Sequence, residues 1–399
     1  MRRHLSNLVA LSTILFAFHC KQDRQMALEK EESEIYNFSK LIEDVVSSDS
    51  TDQYALVVQF VDTTTAPYIE DDSVVYFIYY GEASGVQVAG DFTGWNPGGR
   101  SFTRLRDTDL WYRKEVFEKD ARLDYKLVVG TNWILDPKNP NQIGGGFGPN
   151  SELAMPEYIH PTEILSRDGI DKGVITQIQL PSSYTGKTYQ VHIYLPPNYG
   201  DANEYPVAYF QDGADYLNLA STKNVLDNLI ADKSIQPTIG VFVVPNNRNT
   251  EYAFEDRFKY SDFFVSELVP YIDTNYSTIS TAQGRAVIGD SYGGNISAII
   301  AFQNPEIFGN CGIHSGAFQP NDFHTNSIVM DGVKKDIKVV TIWGTYEGSS
   351  LPPNMRRVRD YLEENSYEVL WKELPEGHSW GLWQATTDDM LEFFFPFNS

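Results

Sequence analysis

Cysteine is nearly missing from this chain. Two occur in 399 residues, Cys20 and Cys311, which excludes a disulfide-stapled scaffold. Neither Cys-x-x-Cys nor His-Glu-x-x-His occurs, so the usual metal-ligand spacings are missing and no metal or cofactor is expected. Positive charge is scarce: 31 Lys and Arg stand against 54 Asp and Glu, a formal net charge of −23. Binding to a nucleic-acid backbone needs clustered cations, so nucleic acid is excluded as a partner; the plain reading of the charge is a solvated acidic surface. The apolar run Leu5 to Phe18 is shorter than the ~20 residues a membrane-spanning helix needs. What is plentiful is core material, with 42% hydrophobic and 14% aromatic residues, on a length that suits two or three domains.

Arg2, Arg3 and His4 ahead of that apolar run make residues 1–20 an export signal. Cys20 at its end resembles the lipidated cysteine of bacterial lipoproteins, although Phe18-His19 replaces the small residues usual before such a site. A lipid anchor at Cys20, holding the exported protein to a bacterial membrane at the periplasm or cell surface, is the expectation; simple cleavage and secretion is the alternative. Cys311 then has no partner and is expected to be a buried small apolar residue. Residues 21–53 read as a polar tether and a short helix, with Ile35, Phe38, Leu41, Ile42, Val45 and Val46 at helical spacing.

Residues 54–138 read as a small all-β sandwich. Strands are expected at Tyr54–Val61, Ser73–Tyr80, Val86 onward, Trp111-Tyr112, Tyr125–Val129 and from Trp133. Gly90-Asp-Phe-Thr-Gly-Trp-Asn, with Trp111, Tyr125-Lys126 and Asp136-Pro137, resembles the early-set immunoglobulin-like domains of glycogen-branching and starch-acting enzymes. That resemblance implies a carbohydrate-binding-module-like domain and allows a glycan contact through Trp95 or Trp111. Packing in a core or between domains is the commoner use of such side chains. The Gly- and Pro-rich stretch 139–172 reads as a linker that can cross over the next domain. Its glycines 144–146 lack the Lys-Ser/Thr ending of a phosphate cradle.

From 173 to 399 strands alternate with helices, and the strands are continuously apolar. That pattern predicts an α/β fold with a doubly wound, mainly parallel sheet. Its organising stretch is Val287-Ile-Gly-Asp-Ser-Tyr-Gly-Gly294. A strand, then Gly-x-Ser-x-Gly, then the helix-prone Asn295-Ile-Ser-Ala-Ile-Ile-Ala-Phe is the pattern of a nucleophile elbow carrying Ser291; an ordinary glycine turn between core elements is the alternative. A serine nucleophile needs a base. In hydrolases with this elbow the acid and the histidine follow the serine in the chain, which leaves His314, His324 and His378. His378 lies just past the strand Glu368–Leu374, where a doubly wound sheet places its ligands. His314 sits inside an apolar strand end and reads as structural; His324 sits in a polar loop and reads as exposed. Glu347, just past the strand Ile337–Trp343, is the expected acid; Asp322, Asp331 and Asp336 precede that strand or lie in loops. An oxyanion needs backbone donors, and the N–H groups expected to serve are those of Tyr292 and of Ala214 or Asp215.

Leu195-Pro-Pro-Asn-Tyr, Tyr205-Pro-Val-Ala-Tyr-Phe-Gln-Asp-Gly, Arg248 with Glu251-Tyr252, Gly289-Asp-Ser-Tyr-Gly-Gly, Gly344-Thr-Tyr-Glu and Gly-His378-Ser-Trp recur in order. Residues 173 to the end thereby resemble the esterase D-type α/β-hydrolases, which include enterochelin esterases, feruloyl esterases, S-formylglutathione hydrolases and mycolyltransferases. A preceding immunoglobulin-like domain resembles the enterochelin-esterase branch. The resemblance implies a serine esterase for a small-molecule ester, with Ser291, His378 and Glu347 at the triad positions and Glu347 where many relatives carry Asp. Arg248, Tyr216 and Trp380 become candidates for substrate contact; for Arg248 an ion pair with Glu251 or Asp256 is the structural alternative. Transfer of the acyl group to an alcohol, and a catalytically silent carbohydrate-binding protein, are the competing readings.

Overall fold

The structure is a computed structural model that describes residues 37–200 and 203–397. The export signal, Cys20 and the 21–33 tether lie outside the described residues. Two short helices come first, Phe38–Ser47 and Ser50–Thr63. The first is the expected one, burying Phe38, Leu41 and Val45 on one face. The second corrects the expected strand at Tyr54–Val61. Its buried residues are Val57, Phe60 and Val61, a helical i, i+3, i+4 stripe, and Asp49 caps it by accepting from the amides of Thr51 and Asp52. The β-branched residues there mimic a strand, but burial on one helical face decides the conformation.

Nine strands form a two-sheet sandwich: β1 (Tyr68–Glu70), β2 (Val74–Tyr80), β3 (Val86–Gly90), β4 (Thr103–Arg104), β5 (Leu110–Val116), β6 (Arg122–Val129), β7 (Asn132–Ile134), β8 (Gln142–Ile143) and β9 (Asn150–Ala154). One sheet runs β1-β2-β5-β4 and the other β3-β6-β9-β8, with β7 paired to β6. In β2, Val75 and Phe77 face the second sheet, where they meet Val88, Leu123, Tyr125 and Leu127. Tyr76 and Ile78 point the other way, into Phe38, Leu41, Val57 and Phe60 of the two helices. Both faces are covered, so β2 reads as a nearly unbroken apolar run. The sandwich extends past the expected boundary at 138, because Ser151 and Leu153 of β9 alternate inward and pair with Tyr125 and Leu123. Only the stretch after Ala154 is a linker.

Eight further strands build one sheet: β10 (Val174–Pro181), β11 (Thr188–Leu195), β12 (Val207–Phe210), β13 (Ile239–Val244), β14 (Arg285–Asp290), β15 (Asn310–His314), β16 (Lys338–Gly344) and β17 (Glu368–Leu374). Their order is β10-β11-β13-β12-β14-β15-β16-β17. β10, β11 and β13 pair antiparallel and everything from β13 to β17 is parallel, as the strand–helix alternation predicts. Two apolar clusters, one on each face, enclose it. Cys311 is fully buried in β15, and burial pushes its thiol well above the usual range. Among the described residues no helix is long and apolar enough to cross a membrane.

Candidate active site

β14 ends at Asp290, and a helix begins at Tyr292. Ser291 between them has φ 53° and ψ −116°, a left-handed-side conformation that a non-glycine residue holds only when its surroundings enforce it. The enforcement is visible. The Ser291 amide donates to His314 O at 2.8 Å, and Ser291 O accepts from the amides of Asn295 and Ala317, each at 3.0 Å. A side chain on Gly289 would overlap the Gly293 backbone, so the elbow closes only with glycine at that point.

His378 stands alone in exposure within a buried run: Glu376, Gly377, Ser379 and Trp380 around it are buried. Its Nδ1 lies 2.8 Å from Glu347 Oε2. The Glu347 side chain is fully buried, while that of His378 is 35% exposed. The other carboxylate oxygen, Oε1, accepts from the Gly344 amide and from Ser315 Oγ, each at 2.6 Å. The glutamate thus turns back onto the strand end it has just left, which takes up its extra methylene. The Tyr346 amide on Glu376 O, 3.0 Å, ties the acid's loop to the histidine's loop.

Ser291 and His378 line one cavity of about 680 Å³. No hydrogen bond joins them among the described contacts, a looseness common where no substrate is bound. The Tyr292 amide opens the helix and has no acceptor among the described residues, as expected for a first-turn donor. Of the two earlier candidates, the Asp215 amide is already spent on Asp212 O at 2.9 Å. The Asp212-Gly213 turn starts a helix there, which leaves Ala214 as the amide without an acceptor.

Three expectations about side chains need correction. Tyr216 does not reach the cavity: it is fully buried, and its hydroxyl meets His314 Nδ1 at 2.9 Å. The helix at Gly213–Asn218 turns that side chain inward onto Phe210. Arg248 pairs with neither Glu251 nor Asp256. It grips Asp212 at 2.8 Å and Asp290 at 3.3 Å, while Glu251 is held by Lys187 and Tyr189. Burial first, then the Asp212 carboxylate, pushes Asp290 upward, with Arg248 pulling the other way. His324 lies partly buried in the helix Pro320–Val329, edge-on to Phe258, and not in an exposed loop. His314 is the structural histidine that its apolar setting predicts. Its Nε2 meets Thr386 Oγ1 at 3.0 Å, and burial pushes its pKa down to about 3.

The β-sandwich supplies much of the cavity wall. Trp95, Lys126, Trp133, Phe147 and Asn150 line it opposite Arg248, Ser291, His378, Trp380 and Trp383. Trp95 therefore faces the site, with its Nε1 donating to Asp91 Oδ1 at 3.0 Å, whereas Trp111 packs beside the sandwich core under Arg104. Lys126, Trp133, Phe147, Ser315 and Trp383 were not singled out as site residues by sequence reasoning. The only pointer was the glycine-rich 139–172 stretch, expected to cross the next domain, and Gly144–Gly148 within it does line the cavity. Among the described residues no group of three or more His, Cys, Asp or Glu is placed to hold a metal ion.

Residues 182–394, more than half of the chain, match the family model named Esterase. The chain belongs to the Esterase family. The esterase is 29% identical over 240 residues to the uncharacterized protein YjcH of Bacillus subtilis, a match covering 55% of this chain and 97% of that one. It is 32% identical over 235 residues to an endo-1,4-beta-xylanase/feruloyl esterase of Xylanibacter ruminicola, covering 55% of this chain but 32% of that larger protein. Among solved structures, the enterobactin esterase FES from Shigella flexneri superposes with a TM-score of 0.70 at 18% identity, over 84% of this chain and 97% of the other. The ferric enterobactin esterase of Salmonella typhimurium gives 0.69 at 17% identity, over 82% and 94%. At such identity these two show a shared fold, an α/β-hydrolase behind a β-sandwich. The protein is a carboxylic-ester hydrolase.

Proposed function

We propose that this esterase works through an acyl-enzyme on Ser291, with His378 as base and Glu347 as its orienting acid. The observation that carries the reading is the His378 Nδ1–Glu347 Oε2 contact of 2.8 Å beside a strained serine in the same cavity. Glu347 fixes the tautomer with hydrogen on Nδ1, leaving Nε2 to accept the Ser291 proton as Oγ attacks the ester carbonyl. The amides of Tyr292 and Ala214 take the oxyanion. His378 then protonates the leaving alcohol, and a water activated by the same imidazole releases the acid. No metal or cofactor enters any step.

The wall of Trp95, Trp133, Trp380, Trp383 and Phe147 suits an ester with a flat ring. The substrates proposed are therefore feruloyl-type, siderophore-type or acetyl-sugar esters. Glycan contact is assigned to Trp95 and Trp133 of the sandwich. Arg248 is neutralised by its two aspartates, so Lys126, which makes no ion pair among the described residues, is the cation proposed to meet a polar substituent. Anchoring through Cys20 is part of the same proposal: globomycin should cause precursor to accumulate, and Cys20→Ser should release the protein from membranes.

The deciding experiment is Ser291→Ala. It should abolish hydrolysis of p-nitrophenyl acetate and labelling by an organophosphonate while the fold persists. Retained activity would overturn the serine assignment. A screen over the three ester classes, with acceptor alcohols added to detect acyl transfer, then names the substrate and separates hydrolase from transferase.

A further inference from the structure

His378 is held from outside its own domain. The residues on either side of it, Glu376-Gly377 and Ser379–Gly381, press against β6 and the turn after β3. At the centre is Arg122, fully buried in β6. Its backbone amide donates to Pro375 O at 3.1 Å. Its guanidinium donates to Ser379 Oγ at 3.1 Å and to Glu152 Oε1 at 2.7 Å, and pairs with Asp124 Oδ1 at 2.8 Å. Ser379 Oγ in turn donates to Asp124 Oδ2 at 3.0 Å and caps the next helix by accepting from the Gly381 amide. Asp91 accepts from the Asp124 amide at 2.7 Å and so joins the same cluster.

The fit leaves no slack. A Cβ on Gly377 would overlap the Asp91 carboxyl, and a Cβ on Gly381 would overlap the Arg122 guanidinium. A contact that only joined two domains would have no need to close on the residues immediately before and after the proposed base. An ion cluster this deep is costly to assemble and weak evidence of stability by itself, which directs attention to geometry.

We propose that Arg122 is a positioning residue for catalysis: through Ser379 and Asp124 it clamps the 375–381 loop so that His378 meets Glu347 and faces Ser291. The inference rests on His378 acting as the base. The sandwich is then a working part of the esterase site and not only a neighbouring domain.

The test uses the full chain with p-nitrophenyl acetate. Ser379→Ala removes the hydroxyl that Arg122 holds, and Gly377→Ala pushes the loop off Asp91; neither touches the reacting atoms. Each should lower kcat by about tenfold to a hundredfold, the range of a small misplacement of a reacting group, with KM within about twofold of the parent. The downfield proton resonance of His378 Nδ1 hydrogen-bonded to Glu347 should weaken in parallel. Arg122→Met should do the same; because it strands Asp124 and Glu152 and can unfold the protein, the two loop variants decide. If Ser379→Ala and Gly377→Ala melt like the parent yet keep its kcat and its Nδ1 resonance, Arg122 only glues the domains and the proposal falls. A His378→Ala control separates the readings: an active control sinks the acyl-enzyme reading and this one with it. An inactive control beside unchanged loop variants sinks this one alone.

Discussion

His314 ends one strand and His378 follows another of the same sheet, yet their surroundings make them opposite kinds of group. His314 is sealed, with one ring nitrogen on Tyr216 and the other on Thr386. Both nitrogens are spent, and burial holds the ring neutral. His378 spends one nitrogen on a buried carboxylate, its other nitrogen has no hydrogen-bond partner among the described residues, and the residue lines a cavity. A general base needs an anion behind it and an unspent nitrogen in front of it. Of these two histidines only His378 meets both conditions, although each sits where a parallel sheet presents its functional ends.

The sharpest way to break this comparison is to remove each ring in turn. His378→Ala should lower kcat by on the order of 10⁴–10⁶-fold, with the melting temperature little changed, read by ester hydrolysis and calorimetry. Glu347→Gln comes next. The amide keeps the shape but presents a poor partner to Nδ1–H, so kcat should fall by about 10²–10⁴-fold while organophosphonate labelling merely slows. Parent-like kcat in Glu347→Gln would remove the anion from the argument.

His314→Gln should behave in reverse. It strips a buried ring from two hydroxyls, a loss of about 1–3 kcal/mol in stability, and it should leave kcat per folded molecule within about threefold. The measurement is urea unfolding alongside active-site titration. A large fall in kcat at unchanged stability would make His314 part of the chemistry and erase the distinction.

Most of the hydrolase half was legible because its signals are local. Gly289, Ser291 and Gly293 mark the elbow by backbone geometry, and strand ends announce Glu347 and His378. Where the outcome depended on which face is covered, local reading failed. Val57, Phe60 and Val61 looked like strand residues until the sheet they cover was known. Tyr216 looked like a cavity residue until its helix turned it beneath the sheet. The docking of the sandwich left one local trace, the glycine-rich stretch that holds Gly144–Gly148. No motif marks Arg122, Lys126 or Trp133 as a site residue, and their places at the site exist only because β6 and its neighbours come to rest against a loop more than two hundred residues away.

A last contrast between the same two neighbourhoods is made by pH. Beside the His378 loop, burial chiefly, then the Asp124 carboxylate, pushes Asp91 up to about 8. Burial also pushes Glu376 up to about 8, with Arg122 opposing and Asp124, Glu152 and Glu347 adding to it. In the unfolded chain both carboxyls titrate near ~4. Between roughly pH 4 and 8 the folded protein therefore holds more protons than the unfolded one, so the stability these groups contribute is lost as pH rises through that window. His314 has the opposite sign. Its folded pKa of about 3 lies below the unfolded value, so its contribution is lost as pH falls from roughly 6.5 toward 3. Melting temperatures from pH 4 to 9 should decline toward both ends. Asp91→Asn or Glu376→Gln should flatten the alkaline limb, and His314→Gln the acid limb. If the carboxamides leave the alkaline limb as steep as in the parent, the two carboxyls are already ionised beside Arg122. The loop of His378 is then held by charge, where His314 is held by neutral hydrogen bonds.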